Sequence, residues 1–378
     1  MTKQFDVAVI GAGIAGLAHA IAASRRGLSV ALFERSHVAQ AASVRNFGMI
    51  WPIGQPAGEW YELALRSREL WLELQQQGVL DLEPCGSIHV AKHHDELDVL
   101  EEFSELGTHQ VQMLKPAEVL KRAGIVNSDG LLGGMYSPTE LRVDPRTASA
   151  RIAAWLQASG RAECHFGTTI THVKEGHLLS SAGDRWVADR IVVCSGSDLQ
   201  TLYPKCLAEA DLKLCKLQMM KVQQEPISRM SPHLAGGLTL RHYASFTQCH
   251  SLAALQDRIA TNHPELDRYG IHVMASPFRS GRIIMGDSHE YGDAITPFDK
   301  REIDELMLRE LRKLICLPHW TVCQRWHGVY AKHPTLPVFE SQPDEGVHVF
   351  VGTGGAGMTM SLGLAERSWQ RWHGHSQT

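Results

Sequence analysis

The largely apolar stretch GLTLRHY, from Gly237 to Tyr243, carries three polar side chains, Arg241, His242 and Tyr243, that could contact a ligand. If this stretch is a β-strand, the alternation of side chains places Arg241 and Tyr243 on the same face. The planar guanidinium of Arg241 matches a carboxylate or a phosphonate, and Tyr243 could position an amine or close the pocket. The alternative interpretation is a half-exposed strand on which Arg241 faces solvent. The sequence leaves both interpretations open.

A glycine-rich turn near the start of the chain is suited to a phosphate ligand. It follows an apolar strand, leads into a helix of small residues, and is succeeded by a second apolar strand that ends at Glu34. In such a GxGxxG turn the glycines permit a tight bend, close approach to a pyrophosphate, and close packing of helix on strand. Glu34 could accept hydrogen bonds from an adenosine ribose and would repel a 2′-phosphate, which disfavours NADP despite Arg35. The turn consists of Gly11, Ala12, Gly13, Ile14, Ala15 and Gly16.

A second glycine cluster, in VGTGGAGMTMS from Val351 to Ser361, stands between an apolar run and a predicted helix that starts near Met358. Glycines let backbone amides approach a ligand closely, and a helix N-terminus stabilises negative charge. A glycine-rich helix cap without a ligand is the alternative, but it leaves this many glycines unexplained. The pair of clusters therefore predicts a ligand long enough to reach from one turn to the other.

The composition bounds the class of protein. A chain of 378 residues, 44% of them hydrophobic, is longer than one core usually supports, so two domains are expected. The formal net charge of -4 and the lack of a basic run argue against nucleic acid or a polybasic membrane surface as a partner. No stretch is long and apolar enough to span a bilayer. Eight cysteines without a CxxC pair, and a start without a signal-peptide pattern, predict a cytoplasmic location.

The apolar pattern predicts alternating helices and strands. Helices are expected from Gly58 to Gln77 and from Asp144 to Ser159, the second with Pro145 as its start signal, and CGSIHVA indicates a strand. Alternating segments from Leu212 to Ile284, including GLTLRHYASF and GRIIMGDS, predict a separate, largely antiparallel sheet. Because no linker or repeat separates these blocks, the domains are expected to interleave.

Taken together, these segments resemble the D-amino-acid oxidase-like superfamily of flavoproteins, which includes glycine, sarcosine and D-amino-acid oxidases. The resemblance covers nearly the whole chain and rests on the opening βαβ unit and on SVRNFGMIWPIGQ, MYSPTELRVDPR, VVCSGS, WHGVYAKHPTLPVFE and VGTGGAGMTMSLG. It implies an α/β fold in which a Rossmann-like FAD-binding domain of the GR2 type interleaves with an α+β substrate domain on a largely antiparallel sheet. The implied FAD-binding domain comprises residues 1–84, 143–205 and 326–378, and the implied substrate domain comprises residues 85–142 and 206–325.

The resemblance also implies which residues contact FAD. Its adenosine and pyrophosphate would occupy the first glycine turn, and the second cluster would cap the flavin ring, where the helix N-terminus would stabilise the reduced anionic form. The segment from Ser43 approaches the ring from the other side, so that Arg45 and Asn46 divide between flavin and substrate. The implied contacts outside the first turn are Glu34, Arg35, Ser43, Arg45, Asn46, Val173, Ser195, Gly196, Gly354, Gly355, Gly357, Met358 and Thr359.

The implied activity is removal of a hydride from the carbon beside a small amine, giving an imine that water hydrolyses to an aldehyde or oxo acid. The electron acceptor would be O2 or another oxidant, and the oligomeric state stays open. The SVRNFG and GLTLRHY segments resemble a subgroup proposed to oxidise aminophosphonates. In this family the loop around WHGVYAKHP lies over the flavin, which places further candidates beside the substrate. The candidate catalytic residues are Arg45, Arg241, Tyr243, Tyr330, Lys332 and His333.

The resemblance further implies that FAD is held without a covalent bond. Relatives such as monomeric sarcosine oxidase attach the ring through a cysteine in this loop, and the stretch from His327 to Tyr330 has none. Alternatives to the aminophosphonate activity are a D-amino-acid, glycine or sarcosine oxidase or dehydrogenase, a flavin hydroxylase, and a non-catalytic flavoprotein subunit.

The hydroxylase alternative rests on MGDSHEYGDAITP, which resembles the GD…H…P element of those enzymes. There the element leads directly into its glycine turn and helix, whereas here a helix and a strand intervene. Asp287 is therefore expected at a sheet end in the substrate domain, while His289 and Glu290 either form a surface turn or face the flavin. The pairs His93–His94 and His373–His375 have no carboxylate or thiol at ligand spacing, so no metal is predicted.

Overall fold

A computed structural model describes residues 3–226 and 230–374. Its helices are α1 (Ile14–Ser24), α2 (Glu59–Gln76), α3 (His94–Glu105), α4 (Pro116–Arg122), α5 (Pro145–Ala158), α6 (Pro204–Glu209), α7 (Leu252–Asn262), α8 (Pro264–Arg268), α9 (Arg301–Leu314) and α10 (Gly357–Gly374). Its strands are β1 (Lys3–Ile10), β2 (Val30–Glu34), β3 (Met49–Ile50), β4 (Leu82–Glu83), β5 (Ser87–Ala91), β6 (Gln112–Leu114), β7 (Gly133–Ser137), β8 (Leu141–Val143), β9 (Glu163–Phe166), β10 (Ile170–Lys174), β11 (His177–Ser180), β12 (Arg185–Val193), β13 (Lys213–Gln223), β14 (His233–Gly236), β15 (Met274–Pro277), β16 (Arg282–Gly286), β17 (Glu290–Gly292), β18 (Val322–Lys332), β19 (Phe339–Asp344) and β20 (Val347–Val351).

The first sheet contains the predicted opening βαβ unit. β1 lies between β2 and β12, and β9 and β20 extend these strands, all in parallel. Antiparallel β10, β11 and β19 complete the sheet. α1 can pack closely because Gly16 has no side chain: a Cβ there would lie 1.8 Å from the carbonyl oxygen of Gly11. α10 packs against α1, α2 packs against α10, and Trp71 is buried in the core that they share.

The second sheet has the strand order β17-β13-β16-β15-β14-β5-β7-β6, and β18 also pairs with β13. All of these pairs are antiparallel except that of β14 with β5. α3 and α9 pack against this sheet and bury Phe103 and Met307 in its core. The predicted fold class, a Rossmann-like sheet with a largely antiparallel substrate sheet, is confirmed.

The division of the chain into two interleaved domains stays a prediction. A third, small antiparallel sheet of β3, β8 and β4 joins segments from both predicted domains. The predicted boundary between residues 325 and 326 falls inside β18, which pairs with β13 along most of its length. Residues 375–378 of the last predicted segment, including His375, lie outside the described residues.

The predicted helices form where their start signals stand. α2 matches its predicted range to within one residue at each end. α5 begins at Pro145, and the Asp144 carboxylate accepts a hydrogen bond of 3.1 Å from the amide of Arg146, which satisfies a first-turn donor. None of the helices in residues 3–226 and 230–374 combines the length and apolar character needed to cross a membrane.

The prediction of a strand at GLTLRHYASF was wrong. The chain leaves β14 and forms two 3-10 helices, Gly237–Arg241 and Ala244–Gln248. The hydroxyl of Thr239 donates to the carbonyl of Gly236 at 2.7 Å, a local hydrogen bond that competes with strand pairing. A Cβ at Gly237 would lie 2.1 Å from the side chain of Glu96, so only glycine permits this path.

Candidate functional site

One cleft of about 860 Å³ connects the two glycine clusters. It opens at the carboxyl ends of β1, β2, β12 and β20, the usual ligand position in parallel α/β sheets, and extends to the second sheet beside β13 and β18. The first glycine turn forms one end, and polar side chains of the second sheet form the other.

The first turn is shaped by Gly11. Its φ is +104°, and a Cβ there would lie 2.3 Å from the carbonyl oxygen of Cys194, so this position requires glycine. The carboxylate of Glu34 accepts hydrogen bonds of 3.0 Å from the amides of Ala12 and Ser36, which fixes the acid at the end of β2. The turn and the acid thus hold each other at the mouth of the cleft.

The segment from Ser43 meets the N-terminus of α1. The Ser43 hydroxyl accepts a hydrogen bond of 2.9 Å from the amide of Ile14. Gly13, at the N-cap position, has no side chain that could accept from the remaining first-turn amides. Asn46 stabilises the segment itself, since its amide donates to the carbonyls of Ala42 and Ser43 and its oxygen accepts from Gly48. Ser43, Arg45 and Asn46 all line the cleft.

Most of the residues predicted to contact FAD line the cleft, and three of them, Ala12, Gly16 and Val173, do not. Ser195 and Gly196 follow β12 and line it, and Arg35 lines it while forming an ion pair of 3.0 Å with Asp198. Val173 instead is buried in β10 among apolar residues, because the inward face of that strand points into the core. Thr168, Thr169 and Ile170, just before it along the chain, line the cleft in its place.

The second glycine cluster closes the cleft at the start of α10. Gly354 has a φ of +55°, which side chains rarely permit, and it packs with Gly355 against β18, where added Cβ atoms would lie in van der Waals contact, 3.5 Å from Lys332 and 3.6 Å from the Tyr330 hydroxyl. At the first turn of α10 the Thr359 hydroxyl accepts a hydrogen bond of 2.9 Å from the amide of Trp51. Gly357, Met358 and Thr359 also line the cleft.

β18 and the residue after it supply three of the predicted catalytic residues. Tyr330, Lys332 and His333 line the cleft. The Lys332 ammonium lies 5.5 Å from the ring centroid of Tyr291 and forms no ion pair with a carboxylate among the described residues. The His333 ring accepts hydrogen bonds of 3.1 and 2.9 Å from the amides of Thr335 and Leu336, so its Nδ1 is already used by the turn. Arg45 donates to the carbonyl of His327 at 3.3 Å and thereby joins its own segment to β18.

Arg241 and Tyr243 are separated by the 3-10 geometry. Tyr243 lines the cleft, whereas Arg241 does not and forms an ion pair with Asp267. The prediction that both side chains share one strand face was wrong, because the segment is not a strand. Of the pair, only Tyr243 is placed to contact a ligand in the cleft.

The structure also brings to the cleft four residues outside the predicted catalytic and FAD-contacting sets, although His289 had been left open between a surface turn and a position facing the flavin. His242, His272, Asp287 and His289 line its far end. Asp287 and His289 are buried, with 4% and 7% exposure, so they do not form a surface turn. The polar residues of GDSHE were a signal for Asp287 and His289. His272 is a single polar residue in an apolar stretch, and only the fold brings it near those two.

The electrostatics of this end are governed by burial. Burial lowers the pKa of His289 to about 4 and lowers that of His272 well below its usual value, with neighbouring histidines adding to the effect on His272. Burial also raises the pKa of Asp287 well above its usual value. Burial thus favours the uncharged forms of these imidazoles and of this acid.

The residues present fit a flavin dinucleotide. Any side chain at Gly11 or Gly13 would fill the space beside the first glycine turn, which the glycines keep open. The first-turn amides of α1 suit a pyrophosphate, and Glu34 suits a ribose. The second glycine cluster stands at the opposite end of the same cleft, where a long ligand would end.

Comparison with known proteins gives the same result. The family model described as FAD dependent oxidoreductase matches residues 6–368. The glycine oxidase of Geobacillus kaustophilus (strain HTA426) is 28% identical over 212 residues, which is 52% of this chain and 56% of that protein. The aligned region thus spans little more than half of this relative.

Solved structures share the fold over nearly the whole chain. The crystal structure of glycine oxidase from Geobacillus kaustophilus superposes with a TM-score of 0.74 at 21% identity, covering 97% of this chain and 94% of the other. L-alpha-glycerophosphate oxidase from Mycoplasma pneumoniae, solved with FAD bound, gives a TM-score of 0.74 at 17% identity, covering 98% and 96%. At this level of identity the likeness establishes the fold.

Proposed function

Since the chain belongs to the family of FAD-dependent oxidoreductases, we propose that it oxidises the C–N bond of a small anionic amine. The product is an imine, which water hydrolyses to an aldehyde or oxo acid. The substrate we favour is an aminophosphonate such as 2-aminoethylphosphonate, ahead of glycine, sarcosine or D-alanine. The glycine oxidase relatives support the general class of amine or amino-acid oxidation.

The observation that carries this proposal is the position of Lys332. Its aliphatic side chain lies against Gly354 of the second glycine cluster, in the same cleft as the dinucleotide turn. Its ammonium lies 5.5 Å from the ring centroid of Tyr291 and has no carboxylate partner among the described residues. A cation that lines the cleft without an ion-pair partner suits the anionic end of a substrate. FAD, when bound, supplies the acceptor for the hydride.

The residues of the chain bind and orient the substrate. Lys332 pairs with the anionic end, and Tyr330 and Tyr243 form the walls that limit how the carbon skeleton can lie. A nearby ammonium and a recessed site both disfavour a second positive charge, so the substrate amine is bound in its neutral form. No residue of the chain is assigned as an obligatory acid or base. Correct positioning of the C–H bond is the main contribution of the protein.

Anaerobic flavin bleaching tests the function. The FAD-loaded protein is mixed with 2-aminoethylphosphonate, glycine, sarcosine or D-alanine, and the loss of the yellow absorbance is followed. Bleaching by an amine without NAD(P)H supports the proposal. Bleaching that requires NAD(P)H supports a flavin hydroxylase, and no bleaching by any amine or nicotinamide supports a non-catalytic subunit. Re-oxidation by air then distinguishes O2 from another electron acceptor.

A further inference from the structure

Three histidines from separate segments meet at the far end of the cleft. His242 follows the first 3-10 helix of the GLTLRHY segment, His272 precedes β15, and His289 lies between β16 and β17. The ring centroid of His242 lies 3.9 Å from that of His272 and 4.3 Å from that of His289, and the latter two are 4.9 Å apart. We refer to these three residues as the imidazole cluster.

The cluster contains buried polar atoms whose hydrogen bonds are not satisfied within the described part of the protein. Neither ring nitrogen of His272 has a hydrogen-bond partner, although the ring is only 3% exposed. One carboxylate oxygen of Asp287 lies 3.2 Å from this ring without hydrogen-bonding geometry, and it too lacks a partner. Burying such groups is costly unless something bonds to them. A polar ligand in the cleft would supply the missing partner.

The geometry of the rings disfavours a metal ion as that ligand. One ring nitrogen from each histidine lies within 4.8 Å of the others, which is close enough for a metal site. However, the rings of His242 and His272 are stacked at an interplanar angle of 27°, and those of His272 and His289 at 17°. Nitrogen lone pairs lie in the ring planes, so nearly parallel rings do not direct them to one point about 2 Å away.

The hydrogen bonding of His289 indicates what the cluster can bind. Its Nδ1 lies 3.3 Å from the carbonyl oxygen of Gly270 and therefore carries the proton, which leaves a lone pair on Nε2. The ring can bond an anion through Nε2 only after taking up a second proton. Burial lowers the pKa of His289, and the charge of Lys332 adds to this effect, so Lys332 is the ammonium that the described residues place near the ring. It can balance one negative charge but not two.

We propose that the imidazole cluster and Lys332 form the subsite for the acidic head group of the substrate, and that a doubly charged head group is bound together with one proton on His289. This inference rests on the proposed function, because it assigns the acidic end of the amine. A carboxylate is balanced by Lys332 alone and needs no proton. Lys332 balances only one of the two negative charges of a phosphonate dianion. The proton that His289 takes from solvent compensates the other. Among the described residues, the other titratable or charged groups facing His289 or its cluster are His242, His272, Asp287, Tyr243, Tyr291, Tyr330 and Arg241.

Two unreactive ligands test the subsite in the FAD-loaded protein. Ethylphosphonate and propanoate have the same carbon chain and no amine, so they bind without being oxidised. Each is titrated calorimetrically in two buffers of different ionisation enthalpy, at a pH above the second pKa of the phosphonate. We expect uptake of about one proton per ethylphosphonate bound and none with propanoate. Equal proton uptake for both ligands would overturn the proposal.

Variants connect the proton to the cluster. In His289→Gln we expect the proton uptake to disappear and ethylphosphonate binding to weaken on the order of ten- to a hundredfold, with propanoate affinity changed less than about twofold. His242→Gln, at a position exposed in the cleft, should weaken ethylphosphonate binding in the same direction without endangering the fold. His250→Gln is the matched control, since His250 is exposed and outside the cluster.

The outcomes separate this inference from the proposed function. If amines bleach the flavin but both cluster variants bind ethylphosphonate as the wild type does, the subsite is wrong and the function stands. If ethylphosphonate binds with proton uptake but no amine bleaches the flavin, the function is wrong and the subsite stands. Retention of one zinc ion per chain after dialysis against a chelator, lost in His242→Gln, would show a metal site and overturn the subsite.

Discussion

The carboxylate of Glu34 accepts a hydrogen bond of 3.0 Å from the backbone amide of Ala12, so the acid at the end of β2 is fixed to the glycine turn at the end of β1. A carboxylate has about four lone-pair positions, and the amides of Ala12 and Ser36 use only two of them. The remaining positions are available to the ribose of a dinucleotide. Glu34 thus supports the shape of the turn and is placed to bind the ligand.

Glu34→Ala is therefore expected to weaken FAD binding on the order of ten- to a hundredfold, because charge-assisted hydrogen bonds are lost. Glu34→Gln keeps an acceptor oxygen and should lose less. The measurement is the release of fluorescent FAD on dilution. Asp81→Ala, which removes a carboxylate that is 92% exposed, is the control. FAD retention equal to that of the wild type in Glu34→Ala would contradict the assignment.

FAD is expected to be released intact when the protein is denatured. The stretch of β18 from His327 to Tyr330 contains no cysteine, and among the described residues Cys194, at the dinucleotide end beside Gly11, is the one cysteine lining the cleft. Burial raises the pKa of the Cys194 thiol, which keeps it protonated and unreactive. Acid precipitation should leave a yellow supernatant. Colour that stays in the pellet would show a covalent bond.

The sequence predicted those parts of the fold that have their own local signals. The GxGxxG turn, the acid at Glu34 and the Asp144–Pro145 helix start each determine their structure through neighbouring residues, and all three are present. At GLTLRHY no such local signal distinguishes a strand from a 3-10 helix. Burial of Leu238 and Leu240 satisfies the alternation of a strand, but the 3-10 helix buries both of them as well.

The far end of the cleft was less predictable, because it is assembled from distant segments. His272 is a single polar residue before an apolar strand, and His289 stands in a polar run after another strand, where residues are commonly exposed at turns. Only the pairing of β15 with β16 brings them together, and no spacing in the sequence encodes that contact. Val173 differs in the opposite direction. It was predicted to contact FAD, but the neighbouring residues face the cleft and its own side chain faces the core.

The buried histidine His19 is expected to make stability depend on pH. It lies in α1 with 0% exposure, its ring nitrogens have no hydrogen-bond partner in the described structure, and burial lowers its pKa to about 3. In the unfolded chain its pKa is about 6.5, so below that pH the unfolded state binds more protons. Stability should therefore fall with acidification, by up to about 1.4 kcal/mol per pH unit, and this contribution should vanish above about pH 7.

His19→Leu removes this group while keeping an apolar side chain. Urea unfolding of the FAD-saturated protein between about pH 7 and pH 5 should show a shallower loss of stability in the variant than in the wild type. His177→Gln, at an exposed position of β11, should keep the wild-type slope. Parallel curves for wild type and His19→Leu would show that His19 is not the titrating group.

The last prediction compares two cations that the sequence analysis treated alike. Lys332 lines the cleft without a carboxylate partner among the described residues, whereas Arg241 is paired with Asp267 and does not line it. Lys332→Ala should lower kcat/KM for 2-aminoethylphosphonate on the order of ten- to a hundredfold, because a doubly charged head group loses its one fixed counter-charge in a recessed site. The loss should be smaller for β-alanine, the matched carboxylate. Arg241→Ala should leave both values within about threefold, since it removes a partly exposed ion pair.

The measurement is kcat/KM for both substrates in the wild type and in each variant, with FAD saturating. A wild type that prefers β-alanine would reject the phosphonate as substrate and leave the general amine oxidation standing. A loss in Arg241→Ala as large as that in Lys332→Ala would show that the cation at Asp267 acts on the substrate, and the position of Lys332 would no longer explain the preference. If neither substitution changes the ratio of the two substrates, the head group is selected by other residues, and the assignment of Lys332 fails.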